Sequence, residues 1–384
     1  MLKFLVAHTF EIDDPGIAVN EILEQLDMEH ALLENSAGFI FCSLKFIKSG
    51  TVGAVSKALP FDVIGCTTCG IAVPGAIGEV MLAVLVLTSD DSFFKTGVSE
   101  PLEARAEERI EELYRRLSGD AESPPSLVFA LATNPGQFSG DMVTDVLHRL
   151  SGGKPVFGTI ALDETSEERI PLVICNGEAC SDRLALLLVC GGAVESRFHV
   201  DSLPAMHTYG LSALVTGAQG TKLISINNMP AAGFLENIGV ISHNKTDAIY
   251  MFPLIVDNHD GEEPRHCGIF GVEEDGALLC SSAIAEGATL KLVNEVQEQI
   301  LRSSEQFAEM LKNENVQHGH LIFSCFGRSA PLVDLKDELE LYEKYIKEKP
   351  YVVIYSRGEF CPVYDEQGKI RNSFRQYSII SAGF

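Results

Sequence analysis

Long apolar runs are missing from this sequence: the longest, around Leu82 to Leu87 and Leu184 to Val189, fall far short of the roughly 20 residues that a membrane-spanning helix needs. The apolar start of the chain, Phe4 to Ala7, is too short for a secretory leader, so a soluble protein of the cytoplasm is expected. Basic residues are scarce, with 29 Lys and Arg against 54 Asp and Glu and a net charge of −25. Like-charge repulsion makes nucleic acid and anionic lipid poor partners. There is no Gly-x-Ser-x-Gly elbow. The Gly217 to Lys222 loop has too few residues between its glycines for a phosphate loop, so no cofactor is indicated. Cys66 and Cys69 stand two apart, but no second pair completes a zinc site, and Pro74 and Gly75 interrupt the helix that a redox pair requires. His318 and His320, or His259 and His266, assemble no three convergent ligands, so no metal is expected. The ten cysteines lie mostly within apolar runs, as reduced core thiols do.

What is present is hydrophobic content of 46% in alternating strand and helix patterns, enough for two domains at typical domain size. Lys3 to Thr9, Gly38 to Phe46, Asp62 to Cys66 and Leu82 to Leu87 read as strands; the last is apolar at every position, as for a strand covered on both faces. Asp14-Pro15 opens a helix to about Leu26. Leu102, Ala106, Ile110, Leu113 and Leu117 mark an amphipathic helix. The order then restarts: Lys154 to Thr159 echoes Pro60 to Cys66, and Arg183 to Leu188 echoes Met81 to Val86, suggesting an internal β-α-β duplication. The chain turns polar between Ser202 and Thr208, dividing it into residues 1–204 and 205–384. Beyond that division, Asp275-Gly276 predicts a hairpin with positive φ at both central residues. Asn294 and Gln297 cap a long helix, and Leu321 to Cys325 and Tyr351 to Tyr355 are buried strands. The fold class is α/β, with α+β as the alternative: mixed sheets packed together and flanked by helices.

Two stretches carry candidate chemistry. Asn134 to Gly140 runs from a strand to a helix N-terminus, where free amides could receive a carboxylate. More specific is the C-terminal third, where one strand ends in Cys325-Phe326-Gly327-Arg328 and another in Arg357-Gly358-Glu359. A guanidinium and a carboxylate at strand ends suit a zwitterion, although Arg328 and Glu359 could equally pair with each other. Cys325 beside a guanidinium could also serve a hydrolase or transferase as nucleophile.

At these residues the sequence resembles the FIST family, whose C-terminal part carries a Cys-x-Gly-Arg turn and a Gly-Glu-[Ile/Phe]-x-Pro segment. Here they are Cys325 to Arg328 and Gly358 to Pro362. Gly65-Cys66-Thr67 and Gly158 to Asp163 are similar to the two Gly-rich strand ends of its N-terminal part. Departures are Cys69 and Ile71 in the first of these, and Arg371-Asn372-Ser373 where a His-Asn pair is common. The resemblance implies a sensor of a small metabolite such as an amino acid, not an enzyme. The implied ligand-binding residues are Gly65, Cys66, Thr67, Asp163, Cys325, Arg328, Gly358, Glu359 and Asn372. Because the two halves take up all 384 residues, the output is expected from a separate signalling protein.

Overall fold

The computed structural model describes residues 2–119, 124–133, 139–163, 169–192, 194–202, 208–241, 253–260, 263–293, 297–314, 316, 318–329, 331–364 and 367–384. Asn134 to Phe138, Asn294 and the expected division at 204/205 lie outside them.

The first 89 residues set a pattern that the chain repeats. Strand β1 (Leu2–Thr9) leads to α1 (Pro15–Leu26), a short α2 (Met28–Ala31), β2 (Asn35–Cys42), α3 (Leu44–Lys48), α4 (Thr51–Ala58) and β3 (Val63–Thr67); a small hairpin, β4 (Ile71–Val73) and β5 (Ala76–Gly78), precedes β6 (Leu82–Ser89). Asp14 caps α1 by accepting from the Gly16 and Ile17 amides. Ala18, Ile22 and Leu26 are buried, while Ile17 is exposed. The strand expected to run to Phe46 stops at Cys42, because the Ser43 side chain caps α3.

The second pass runs β7 (Ser92–Val98), α5 (Ala106–Ser118), β8 (Leu127–Ala132), α6 (Gly140–Leu150), β9 (Val156–Ile160), a hairpin β10 (Val173–Cys175) and β11 (Glu178–Cys180), and β12 (Leu184–Gly191). The third opens with β13 (Arg197–Ser202) and is then interrupted by an inserted unit: β14 (Thr208–Gln219), β15 (Lys222–Ile226), β16 (Met229–Pro230), α7 (Ala231–Asn237), β17 (Leu254–Asp257), β18 (Arg265–Cys267), β19 (Ile269–Val272), β20 (Leu278–Cys280) and β21 (Thr289–Val293). It resumes with α8 (Gln297–Asn313), β22 (His320–Cys325), α9 (Lys336–Ile346), β23 (Tyr351–Ser356), a hairpin β24 (Glu359–Tyr364) and β25 (Ile370–Arg375), and β26 (Ser378–Gly383).

The expected duplication is therefore a triplication. Its sheets run β1-β6-β2-β3-β10-β11, β7-β12-β8-β9-β24-β25 and β13-β26-β22-β23-β4-β5. In each, the one parallel pair is β2/β3, β8/β9 or β22/β23. Each pass also gives its hairpin away: the first to the third sheet, the second to the first, the third to the second. The exchange closes in a ring, and strands from both sides of residue 204 share sheets.

The three inner faces meet in one core. Phe39 packs edge-on to Phe129 at 5.0 Å, Phe157 stacks on Phe323 at 5.2 Å, and Phe41 meets Phe323 at 6.1 Å between ring centroids. Such aromatic pairs contribute about 0.5–1.5 kcal/mol each beyond burial. β6 shows why both of its faces are apolar: Ala83, Leu85 and Leu87 join this core, while Leu82, Val84 and Val86 join the outer layer with Ile22 and Leu26 of α1 and Val52 and Val55 of α4.

The insert has its own core, built around Val215, Leu223, Leu254 and Leu278. Its sheet order, β18-β17-β21-β14-β15-β20-β19, returns on itself because only Gly268 separates β18 from β19. One bent strand thus closes a small barrel. The β19–β20 hairpin is present, but only Gly276 has positive φ, at 79°. The Gly276 amide donates to the Glu273 carbonyl and the Glu273 amide to the Ala277 carbonyl, a three-residue loop in place of the expected two-residue turn. All ten cysteines are free thiols. No helix among the described residues is long and apolar enough to cross a membrane.

Candidate functional site

At the end of β22 the chain turns through Phe326–Ser329. A Cβ on Gly327 would lie 2.5 Å from the Tyr377 ring, so only glycine lets the turn pass under it. The turn sends Arg328 inward, where it is fully buried. Its Nη2 donates to Ser304 Oγ at 3.0 Å and Ser303 Oγ at 3.3 Å, and it faces Glu338, not Glu359, at 3.4 Å. The equally buried Glu338 carboxylate also accepts from Ser304 Oγ at 2.6 Å, Ser324 Oγ at 3.2 Å and Tyr355 Oη at 2.5 Å. This network ties α8, α9, β22 and β23 together.

Glu359 lies on the other side of β22, fully buried, accepting from Ser356 Oγ at 2.7 Å and Ser378 Oγ at 2.8 Å. Burial pushes its carboxyl up to about 8, against the opposing pull of those hydroxyls, the Cys325 thiol and Arg328. Burial first, and Glu359 second, push Cys325 well above the ordinary thiol range; Arg328 acts the other way without prevailing. The thiolate that a nucleophile requires is therefore disfavoured.

Cys325, Phe326 and Gly327 form one wall of a cavity of about 150 Å³ at the seam between the three-sheet body and the barrel. Leu162, Arg169, Arg357, Gln376 and Tyr377 continue the body side, and Gly268 and Phe270 supply the barrel side. The Arg357 guanidinium lies 5.7 Å from the centre of the Phe270 ring, a cation–π contact across the seam. The Gly268 amide, at the barrel's bend, donates to Gln376 Oε1 at 2.7 Å. The Arg265 guanidinium holds Asp141 of α6 at 2.8 Å.

Of the residues singled out in the sequence, Cys325 lines this cavity. Thr67 and Asp163 brace the segment that supplies Leu162 and Arg169: the Thr67 carbonyl accepts from the Leu162 amide at 3.0 Å, Thr67 Oγ1 from the Leu172 amide at 3.0 Å, and Asp163 from the Ile170 amide at 2.9 Å. Gly358 follows Arg357 with φ 150°, and a Cβ there would meet Phe374 at 2.5 Å. Its carbonyl accepts from Thr159 Oγ1 at 2.9 Å. Arg328 and Glu359 lie behind the wall. Gly65 is pressed against the Ile40 carbonyl in the β2/β3 pair, and Cys66 belongs to the common core. Asn372 clamps β25 to β9, accepting from the Val156 amide and donating to the Lys154 carbonyl, each at 2.8 Å. No sequence motif marks Arg169, Phe270, Gln376 or Tyr377, whereas Arg357 stands directly before the Gly358-Glu359 pair that the sequence does mark.

Residues 36–229 match the family model of the FIST N domain and residues 231–362 that of the FIST C domain. No curated protein matches the chain. Domains of this kind are associated with sensory and signal-transduction roles. Two adjoining matches, in family order and together spanning most of the described fold, establish that this chain belongs to the FIST family.

Proposed function

We propose that this protein is a sensor whose ligand, a carboxylate-bearing metabolite such as an amino acid, binds in the seam cavity at Cys325, and that it signals through a separate protein in the cytoplasm. The observation that carries the reading is the cavity's lining: Arg169 and Arg357 beside an apolar wall of Leu162, Phe270, Phe326 and Tyr377. A guanidinium suits a carboxylate, and the apolar wall suits a side chain. The volume is below the roughly 300–1,000 Å³ of drug-sized sites, which favours a small occupant. A ligand touching both body and barrel would stabilise one docking of the two, which is what a sensor's output requires. The reading of Cys325 as a nucleophile is weakened by the buried, high-pKa thiol.

Thermal-shift screening against the common amino acids and small carboxylates tests this. A ligand at a hundred times its Kd adds about 2.7 kcal/mol of stability, and Arg357→Ala should abolish that gain. Absence of any shift across the panel, with folded protein, would refute the proposal.

A further inference from the structure

A second cavity, of about 370 Å³, opens on the far side of Gln376, between the end of β13, the β17–β18 side of the barrel and the β25–β26 turn. It is lined by Ser202, Ile255, Glu263, Arg265, His266 and Arg375, with Gln376 shared between the two cavities. Two of its polar groups stand out. His266 is nine-tenths buried, its ring lies tilted 5.8 Å from that of Tyr377, and its Nε2 has no hydrogen-bond partner among the described residues. Arg375 Nε is likewise buried, with no acceptor among the described residues. A buried polar group left unpaired costs about 1–3 kcal/mol, so two in one cavity need a reason; His266 Nε2 can donate when the ring carries its proton there. Arg265, by contrast, is already engaged by Asp141.

We infer that this cavity is a second binding site, for the oxyanion of a small ligand, a carboxylate or a phosphate, which accepts from Arg375 Nε and His266 Nε2. The surrounding charge favours it. His266 is pushed down to about 4 by burial and then by Arg328 and Arg375. Arg375 is itself lowered by burial and by Arg265, with Arg371 adding to this; Cys361 and Glu263 oppose it. A bound anion would offset that positive potential at both groups. In a chain carrying a net charge of −25, such local positive potential runs against the average. The two cavities adjoin at Gln376 but take their ligands from different charged groups, Arg375 and His266 here against Arg169 and Arg357 at the Cys325 cavity, so either reading can fail alone.

The experiment is an NMR titration of the His266 ring signals in the full chain with succinate and, separately, inorganic phosphate, using sodium chloride at matched ionic strength as control. Saturable shifts with either anion but not chloride, and a His266 pKa raised by about one unit or more at saturation, are expected; which anion saturates tells a carboxylate site from a phosphate site. Arg375→Gln should weaken the saturating anion at least tenfold, whereas Arg357→Gln should leave it unchanged. Should Arg375→Gln not fold, Arg375→Lys, which keeps the charge but removes Nε, should weaken binding in the same sense. Shifts that track ionic strength alone, or equal affinity in wild type and the Arg375 variants, would overturn the inference.

Discussion

Replacing Arg328 by alanine tests what the Cys-x-Gly-Arg turn is for. The guanidinium is fully buried and donates to Ser303, Ser304 and Glu338. Its removal leaves the Glu338 carboxylate buried with, among the described residues, Ser304, Ser324 and Tyr355 to hold it. Breaking a buried pair from one side costs about 3–5 kcal/mol. At roughly 2 °C per kcal/mol for a body of this size, the melting temperature should fall by about 6–10 °C. Arg328→Met combined with Glu338→Gln removes both charges and should recover at least half of the loss. The assay is a calorimetric melt of the three proteins, each with and without the ligand found by screening. A drop of under about 2 °C for Arg328→Ala, with the ligand response lost, would refute the structural role and return Arg328 to the ligand site.

Glu359, raised from 4.5 to about 8, confers stability that is complete below about pH 4.5 and is lost as pH rises through 8. Wild type should therefore lose stability relative to Glu359→Gln by up to about 1.4 kcal/mol per pH unit between those limits; parallel pH profiles of the two proteins would contradict this. Iodoacetamide should label Cys325 in the folded protein at pH 7 more slowly than a free thiol by at least about tenfold, as mass spectrometry of the modified peptide can show. Residues 205–384 expressed alone lack β4, β5 and β9, the exchanged partners of β23 and β24. That fragment should keep the barrel but leave residues 297–384 without native packing, visible as collapsed amide dispersion for those residues.

Much of the fold was legible because burial on both faces writes itself into continuous apolar strands such as Leu82 to Leu87 and Leu184 to Val189. The triplication was half legible. Lys349-Pro350-Tyr351-Val352-Val353 matches Lys154-Pro155-Val156-Phe157-Gly158 in type, but the barrel inserted after β13 pushes the third copy out of the spacing that marks the other two. The hairpin exchange was not legible, since three-residue strands such as β4 and β10 carry no pattern and their partners are fixed only by tertiary closure. At the seam cavity, Cys325 is legible because a buried strand ending in Gly-Arg is visible locally, and the structure places it in the lining. Arg328 and Glu359 were named by the same logic, but the Gly327 turn sends the guanidinium inward. Nothing in the sequence near Glu338, a helix residue among other acids, signals that it is the partner. Phe270 and Gln376 meet only because the barrel docks there.

The location of the seam sets one end of a nearly symmetric body apart from the other two. The three passes offer three equivalent strand ends, after β2, β8 and β22. After β2 the chain goes directly into the Ser43 cap of α3. Only the third pass contains the barrel, and it is against the end of β22 that Gly268 and Phe270 come to rest. Among the described links across that seam are the Gly268–Gln376 hydrogen bond, the Arg265–Asp141 ion pair and the Arg357–Phe270 contact. Contacts of these kinds contribute about 0.5–1.5 kcal/mol each. Occupancy at a hundred times Kd, by a ligand that binds only the docked seam, adds about 2.7 kcal/mol. That falls within the range of about 1.5–4.5 kcal/mol for these three links together. A ligand can move an equilibrium only by its differential affinity for the two states. Links of this size across the seam lie within its reach, whereas the exchanged hairpins and common aromatic core of the body do not.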